Sequence, residues 1–294
     1  MEDVARRIDE DDGANGRFLV NSAKPDTIDR FARARTGAAA PSRRFLNRVT
    51  LYQVAIVSGF VLMLEALCLA GVIDKITMPP PHRIALDFFK LMASGKLWPE
   101  IGKSMANVLL AFVLAYVPGI AIGTALHGYR TLRDTLDPLF ATYYAIPVFA
   151  FYPLFIVMFG LGDGPQVLIG VLLGIVAVIV TTLNGLDRVP RVLRKTAAIA
   201  RLGPLETAIR VTLPFCAPYL LSAAKLALAY AFIGVIGSEF IMARTGMGYE
   251  IGFAYTNFDN ATMYPLIVLI LLLSIVMNGI LSRWEKVLLS RRGL

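Results

Sequence analysis

Six long apolar runs constrain this chain more than any other feature of its sequence. Each run is close to the roughly 20 residues that a helix needs to cross about 30 Å of hydrocarbon. Because a lipid core cannot hydrogen-bond to free backbone groups, each run must be helical. The sequence therefore predicts an all-α polytopic membrane protein with six transmembrane helices. They lie near residues 53–73, 104–126, 138–159, 166–184, 219–241 and 263–282.

Lysine and arginine are distributed unevenly between the two sides of these predicted helices. Of the 29 in the chain, 22 lie in the two terminal tails and in the 127–137 and 185–218 loops, whereas six lie in segments on the other side. Basic residues collect on the cytoplasmic side of membrane proteins. Both termini are therefore predicted to be cytoplasmic, and this asymmetry explains the net charge of +8 without a nucleic-acid partner.

The two segments that flank the first run have their own patterns. Residues 1–50 lack the apolar region of a secretory signal and predict a mobile cytoplasmic tail. On the outer side, Pro79-Pro80-Pro81 blocks helix continuation. The apolar residues after it predict a short amphipathic helix along the membrane surface. They are Ile84, Leu86, Phe88, Phe89 and Leu91.

Several residues inside the runs predict local features. Pro147 and Pro153 must free backbone carbonyls and bend the third helix. Small-residue pairs allow helices to approach closely, either within one bundle or between subunits. These pairs are Gly119 with Gly123 and Gly170 with Gly174.

Three charged residues fall inside the runs, namely Glu65, Lys225 and Glu239. Such charges tend to face a bundle interior or water. Lys225 is close enough to the cytoplasmic side to extend its ammonium group to the surface, and Glu239 lies near the outer end of the same run.

No motif in the sequence predicts an enzyme, a cofactor or a metal site. Gly102-Lys103-Ser104 resembles the end of a nucleotide-binding loop, but position 97 is Leu where the loop requires Gly. The two histidines lack metal-ligand spacing. A channel, a different kind of transporter and a membrane enzyme stay open as alternatives on this evidence.

The 185–218 loop contains the sequence AAIARLGPLETAIRVTLP at residues 197–214. Residues 192–202 predict a helix that Gly203-Pro204 stops, and residues 205–211 predict a second helix that Leu213-Pro214 ends. The two helices share an apolar stripe, which either packs on the bundle, meets lipid or meets a partner. The stripe consists of Ile199, Leu202, Leu205, Ile209 and Leu213.

This loop resembles the cytoplasmic "EAA" loop of binding-protein-dependent ABC importer permeases, whose pattern is E-A-A, three residues, Gly, nine residues and I-x-L-P. Ala198 matches the first alanine, Gly203 the glycine and Val211-Thr-Leu-Pro214 the end. The family glutamate falls on Ala197, and two residues are missing after Gly203. Met78–Pro81 resembles an outer proline-containing segment of the same family. Further segments resemble its nitrate, sulfonate and taurine branch: Leu136–Pro138, Ala145–Pro147, Tyr152–Leu154, Phe159–Asp163, Ser238–Phe240 and Thr245–Gly248.

The resemblance implies a type I ABC importer permease in the bacterial inner membrane, with residues 51–294 as its permease domain. A homodimer in membrane lipid would bind two ATP-binding subunits and an external solute-binding protein. It would import a small anion such as a sulfonate, taurine or nitrate by ATP-driven alternating access. The implied ATPase-coupling residues are Ala198, Gly203, Leu205, Glu206, Ile209, Arg210, Leu213 and Pro214. The implied pathway residues are Tyr144, Pro147, Phe151, Tyr152 and Glu239.

Overall fold

The computed structural model describes residues 43–74 and 77–290, and every regular element in these ranges is helical. The helices are α1 (Arg43–Leu69), α2 (Pro81–Ser94), α3 (Trp98–Gly128), α4 (Arg130–Tyr143), α5 (Tyr152–Phe159), α6 (Asp163–Asp187), α7 (Arg191–Ile199), α8 (Pro204–Thr207), α9 (Leu213–Met242), α10 (Met247–Thr256) and α11 (Asn260–Ser290). A 3₁₀ turn at Val148–Phe151 precedes α5, and a π-helical segment at Ala208–Thr212 precedes α9.

Five of the six predicted spans are single helices long and apolar enough to cross a membrane. They are Thr50–Leu69, Trp98–Gly128, Asp163–Asp187, Ala208–Met242 and Asn260–Val287. The helical content confirms the all-α prediction. Contiguous apolar surface determined these elements, which explains why hydropathy alone could find them.

The third predicted span, 138–159, is a broken pair of helices. Arg130–Tyr143 and Val148–Phe159 meet at an angle of 89°. The prediction of a single bent helix therefore underestimates the bend, because the chain leaves the helical path between the two halves. Pro147 has an extended ψ of 82° and opens the 3₁₀ turn, since a proline ring prevents the preceding residues from continuing an α-helix.

The centre of the bundle is the packing of α3, α6 and α9, in which glycine and alanine allow very close approach. A Cβ atom built at Gly119 would lie 2.8 Å from Cβ of Val178, and one at Gly170 would lie 2.9 Å from Cβ of Ala111. Gly174 likewise faces Ala115. The small-residue pairs therefore serve packing within one bundle.

The predicted amphipathic helix is α2. It begins at Pro81, where a missing N–H costs nothing, and ends at Gly95 with a left-handed φ of 72°. Ile84 is buried, whereas Leu86 and Phe89 are exposed. The apolar stripe is therefore split between a face that packs on the bundle and a face that does not.

The chain divides into two units, residues 1–63 and 64–294, and α1 contributes to both. The predicted N-terminal tail, 1–50, lies outside the described residues as far as residue 42. All of the sites below belong to the second unit.

Candidate functional site

The first helix of the 185–218 loop ends earlier than predicted. The N–H of Leu202 donates to the carbonyl of Ala197 (3.1 Å), and the N–H of Arg201 donates to that of Ala198 (3.0 Å). With Arg201 at a left-handed φ of 51°, this is a Schellman cap. The prediction that Gly203-Pro204 stops this helix is wrong, because the chain reverses at Arg201, where glycine is the usual residue.

The sequence predicted that the second helix of the loop ends at Leu213-Pro214, but the helix continues through these residues. Thr207, Thr212 and Leu213 all have right-handed helical angles, so α8, the π segment and α9 run on as one helical path. In an α-helix the ring of Pro214 would clash with the carbonyl of Arg210. A π turn widens the backbone just before the proline, which lets the helix pass through it.

The loop is held on the bundle by one face and exposes the other. Leu193 packs against a buried cluster of Leu186, Val189 and Cys216, and Ala197 is only 3% exposed. In contrast, the apolar side chains of Ile199, Ile209 and Leu213 are 83%, 55% and 38% exposed.

Among the other predicted coupling residues, Ala198, Gly203 and Arg210 are exposed, and Glu206 and Pro214 are partly buried. Arg210 forms an exposed ion pair with Glu206 (Nη1 to Oε1, 3.0 Å). The side chain of Leu205 lies outside the described part of the chain.

The predicted pathway residues fall into two groups. Tyr144, Pro147 and Phe151 are exposed at the break between α4 and α5. Tyr152 is buried against Val148 and is 1% exposed. The first three are therefore exposed near the break, whereas Tyr152 is buried in the bundle.

Glu239, the fifth predicted pathway residue, is also buried, at the end of the bundle predicted to be outer. Both of its carboxylate oxygens accept from the hydroxyl of Ser104 (2.8 and 2.7 Å), and Oε2 also accepts from the N–H of Gly248 (3.0 Å). The Ser104 hydroxyl in turn accepts from the N–H of Met247 (2.8 Å). Burying a carboxylate without such partners would be costly.

The turn beside Glu239 is held by two more residues of α3. Glu100 accepts from the N–H of Gly246 (2.5 Å), and Lys103 donates to the hydroxyl of Thr245 (2.7 Å) while pairing with Asp163 (3.1 Å). We call this assembly the outer hub; it comprises Glu100, Lys103, Ser104, Glu239 and the turn Thr245–Gly248.

The hub was largely missed at the sequence level. Its members on α3 are spaced at i, i+3 and i+4, which places them on one helix face. That face is polar at the end of an apolar run, and this was the available signal. Nothing in the sequence shows that Ser104 and Glu239, 135 residues apart, meet.

Other charges in the spans also have partners. Lys225 pairs with Glu285 of α11, which lies just beyond the predicted sixth span. The ammonium group therefore has a partner near the end of the bundle that was predicted to be cytoplasmic. Glu65 accepts from the backbone N–H of His82 (3.2 Å) and contacts the His82 ring (Oε1 to Nδ1, 2.6 Å). These pairs join helices within the second unit.

A bundle of helices that are long and apolar enough to cross a membrane defines the class of multi-pass membrane proteins. Residues 105–291 match the family described as "Binding-protein-dependent transport system inner membrane component". The chain belongs to this family and is a multi-pass inner membrane protein, as predicted.

Named relatives are consistent with this assignment. A probable ABC transporter permease protein of Brucella melitensis is 28% identical over 213 residues, which are 72% of this chain and 86% of the relative. The riboflavin transport system permease protein RibX of Chloroflexus aurantiacus is 29% identical over 71% of this chain and 80% of its own. The taurine transport system permease protein TauC of Escherichia coli is 25% identical over 61% and 67%.

The fold resembles that of a chain in inward-facing structures of the MetNI methionine ABC transporter. The TM-score is 0.57 over 65% of this chain and 95% of that chain, at 18% identity. This likeness confirms the predicted permease architecture.

Proposed function

We propose that this chain is the transmembrane permease subunit of an ABC importer. It moves a small solute inward by alternating access, and a separate ATPase chain hydrolyses the ATP. The chain itself is non-catalytic. Its likeness to ABC transporter permeases supports this role, and the exposed stripe of the 185–218 loop is the observation that carries the coupling assignment.

The loop has the physical properties of a protein-binding element. Ile199, Ile209 and Leu213 present apolar side chains that nothing in the described bundle covers. Several exposed apolar side chains on one short loop are what a binding surface for a partner requires. The Schellman cap and the helical path into α9 make the loop stiff, so a push from a partner moves the helix rather than bending the loop.

Gly203 supports the same assignment. It does not need a left-handed φ, and a Cβ atom built there meets no described atom within 4 Å. The chain's own packing therefore gives no reason for glycine at this position. Close approach of a partner backbone is a reason, because glycine allows such contacts.

The proposed coupling contacts are Ala198, Gly203, Leu205, Glu206, Ile209, Arg210, Leu213 and Pro214. The proposed assembly contains two copies of this chain, two ATP-binding subunits and an external solute-binding protein. The exposed apolar faces of the spans meet membrane lipid. Tyr144, Pro147, Phe151, Tyr152 and Glu239 stay predictions for the solute pathway.

We propose a small anion, such as a sulfonate, taurine or nitrate, as the solute. The taurine-named relative supports this class, and the similarly close relative named for riboflavin is the competing example. Calorimetric titration of the partner solute-binding protein with taurine, nitrate, methanesulfonate and riboflavin decides between them. Binding of riboflavin alone would refute the small-anion assignment.

The coupling role is tested with Gly203→Leu in the assembled transporter. We expect uptake of the solute identified by the titration to fall at least about tenfold, equivalent to about 1.4 kcal/mol. The spans should stay inserted and the ATPase should still hydrolyse ATP. Gly102→Leu is the matched control, because a Cβ atom at Gly102 also meets nothing within 4 Å but lies at the other end of the bundle. Unchanged uptake by Gly203→Leu would count against the coupling assignment.

A further inference from the structure

The outer hub holds the beginning of α10 unusually firmly. The first N–H groups of any helix have no partner within that helix. In α10, the N–H groups of Gly246, Met247 and Gly248 are all taken up by side chains of α3 and α9. The start of this short helix is therefore tied to two membrane-spanning helices at once.

Two glycines of the turn show how closely it is packed on the carboxylate. A Cβ atom at Gly248 would lie 2.6 Å from Cβ of Glu239, and one at Gly246, whose φ is +105°, would overlap the Glu239 carboxylate. Real Cβ atoms do not approach heavy atoms so closely. The turn therefore cannot slide over α9 without breaking the hydrogen bonds to Glu239.

Apolar packing also holds α10 on the bundle. Met247, Ile251 and Ala254 are buried, and the first two belong to a core cluster with Leu266 of α11. Its other face exposes Phe253 and Tyr255. A short helix that packs along one side, is hydrogen-bonded to two spans at its beginning and is exposed along its other side is suited to move with those spans at the outer end of the bundle.

The helix that bears Glu239 leads directly to the other end of the molecule. Ala208–Met242 is a single helical stretch of 35 residues, which at a rise of 1.5 Å per residue extends about 50 Å. Its first residues belong to the 185–218 loop and its last turns carry Glu239. The loop and the hub are therefore joined by one continuous helical path, in which the π segment and Pro218 mark the places where a helix can bend.

We propose that Glu239 is a positioning residue that makes α10 follow the outer end of α9, so that movement of the 185–218 loop moves α10. The inference rests on the proposed coupling function. It requires no contact between Glu239 and the solute. Ionisable residues retained inside membrane spans commonly mark functional elements, and here the function assigned is mechanical.

The test follows the exposure of α10 in the complete transporter with its ATPase, reconstituted in nanodiscs. Cys68 and Cys216, the buried native cysteines, are replaced by alanine, and Tyr255→Cys supplies a single reporter on the exposed face. Its rate of reaction with a charged maleimide is measured without nucleotide and with ATP and vanadate. ATP hydrolysis is measured in the same samples.

With the hub intact, we expect trapping with nucleotide to change the labelling rate at least about threefold, because the two states differ in the placement of α10. Glu239→Ala should abolish this change while ATP hydrolysis continues. Glu239→Gln should restore part of it, because its amide oxygen still accepts from the N–H of Gly248. Ser238→Ala is the matched control, since the Ser238 hydroxyl bonds only within its own helix (2.9 Å to the Val235 carbonyl).

A Glu239→Ala transporter that hydrolyses ATP and keeps the full labelling change would overturn the proposal. If that variant does not fold, Ser104→Ala decides in its place, because it removes the hydroxyl but leaves the bond from Gly248. A parent protein that recovers no ATPase refutes the proposed coupling function itself. A parent that hydrolyses ATP but shows no change in labelling with nucleotide overturns the proposed movement of α10 and leaves the coupling function standing.

Discussion

The contact between α6 and α9 supports a quantitative prediction about Gly234. A Cβ atom built at Gly234 would lie 2.5 Å from Cα and 2.7 Å from the amide nitrogen of Gly170. Both obstructing atoms belong to the backbone, so no side chain can rotate away. Gly234→Ala must therefore push the two helices apart.

The magnitude follows from two opposing effects. Alanine in a helix interior is favoured over glycine by up to about 1 kcal/mol. Moving the helices apart by even 0.5–1 Å forfeits roughly a quarter to a half of each dispersion contact along the seam, and overpacking of a close-packed core costs about 1–3 kcal/mol, occasionally more. Because the seam includes the buried residues Ala227, Ala231 and Val235, we expect Gly234→Ala to lower the free energy of unfolding by about 2 kcal/mol.

Thermal unfolding of the purified protein in detergent measures this loss, and a denaturant titration converts it to free energy. Gly279→Ala is the matched control, because Gly279 lies inside α11 and a Cβ atom there meets nothing within 4 Å. The free energy of unfolding of Gly279→Ala should equal that of the parent protein or exceed it by up to about 1 kcal/mol. The reasoning is refuted if Gly234→Ala is as stable as Gly279→Ala.

Two further predictions test the loop and the predicted cytoplasmic end. Ala197→Glu restores the family glutamate at a position that is 3% exposed, and we expect the free energy of unfolding in detergent to fall by about 3 kcal/mol. Ala198→Glu, on the exposed side, should change it by no more than about 0.5 kcal/mol. Equal stability of the two variants would contradict the burial of Ala197. Lys225→Met and Glu285→Gln, alone and combined, should give a coupling energy of about 1 kcal/mol in a double-mutant cycle, because the ion pair is mostly but not fully shielded from water. A coupling near zero would show that the pair does not stabilise the fold.

The resemblance of the loop to the EAA pattern stays a prediction, and its two departures from that pattern can be placed on the structure. The family glutamate falls on Ala197, and that position packs on the bundle, where an unpaired carboxylate would be costly. The missing two residues lie in the stretch that the structure shows as α8 and the π segment. Sequence comparison can detect the shortening, but only the backbone shows that the helix continues through it.

The outer hub is a second feature that the sequence could not reveal in full. The sequence identifies Glu239 as a charge inside a span, and Thr245–Gly248 as a segment that resembles the family branch. It does not pair them with Ser104 or Glu100, since hydrogen bonds between distant helices depend on which faces meet. The prediction of Glu239 as a pathway residue came from the family resemblance and from its charge inside a span, whereas its burial and hydrogen-bond partners support the mechanical role proposed above.

The sequence by itself determined the all-helical membrane class, the places of the spans and the location of a polar loop between two of them. These properties follow from the run length and periodicity of apolar residues, which the bilayer imposes on any chain that crosses it. The tertiary structure decided the right-angled break between α4 and α5, the reversal at Arg201, the passage of the helix through Pro214 and the hub around Glu239. Each of these depends on close packing and hydrogen bonds between segments far apart in the chain, and no local pattern specifies such contacts.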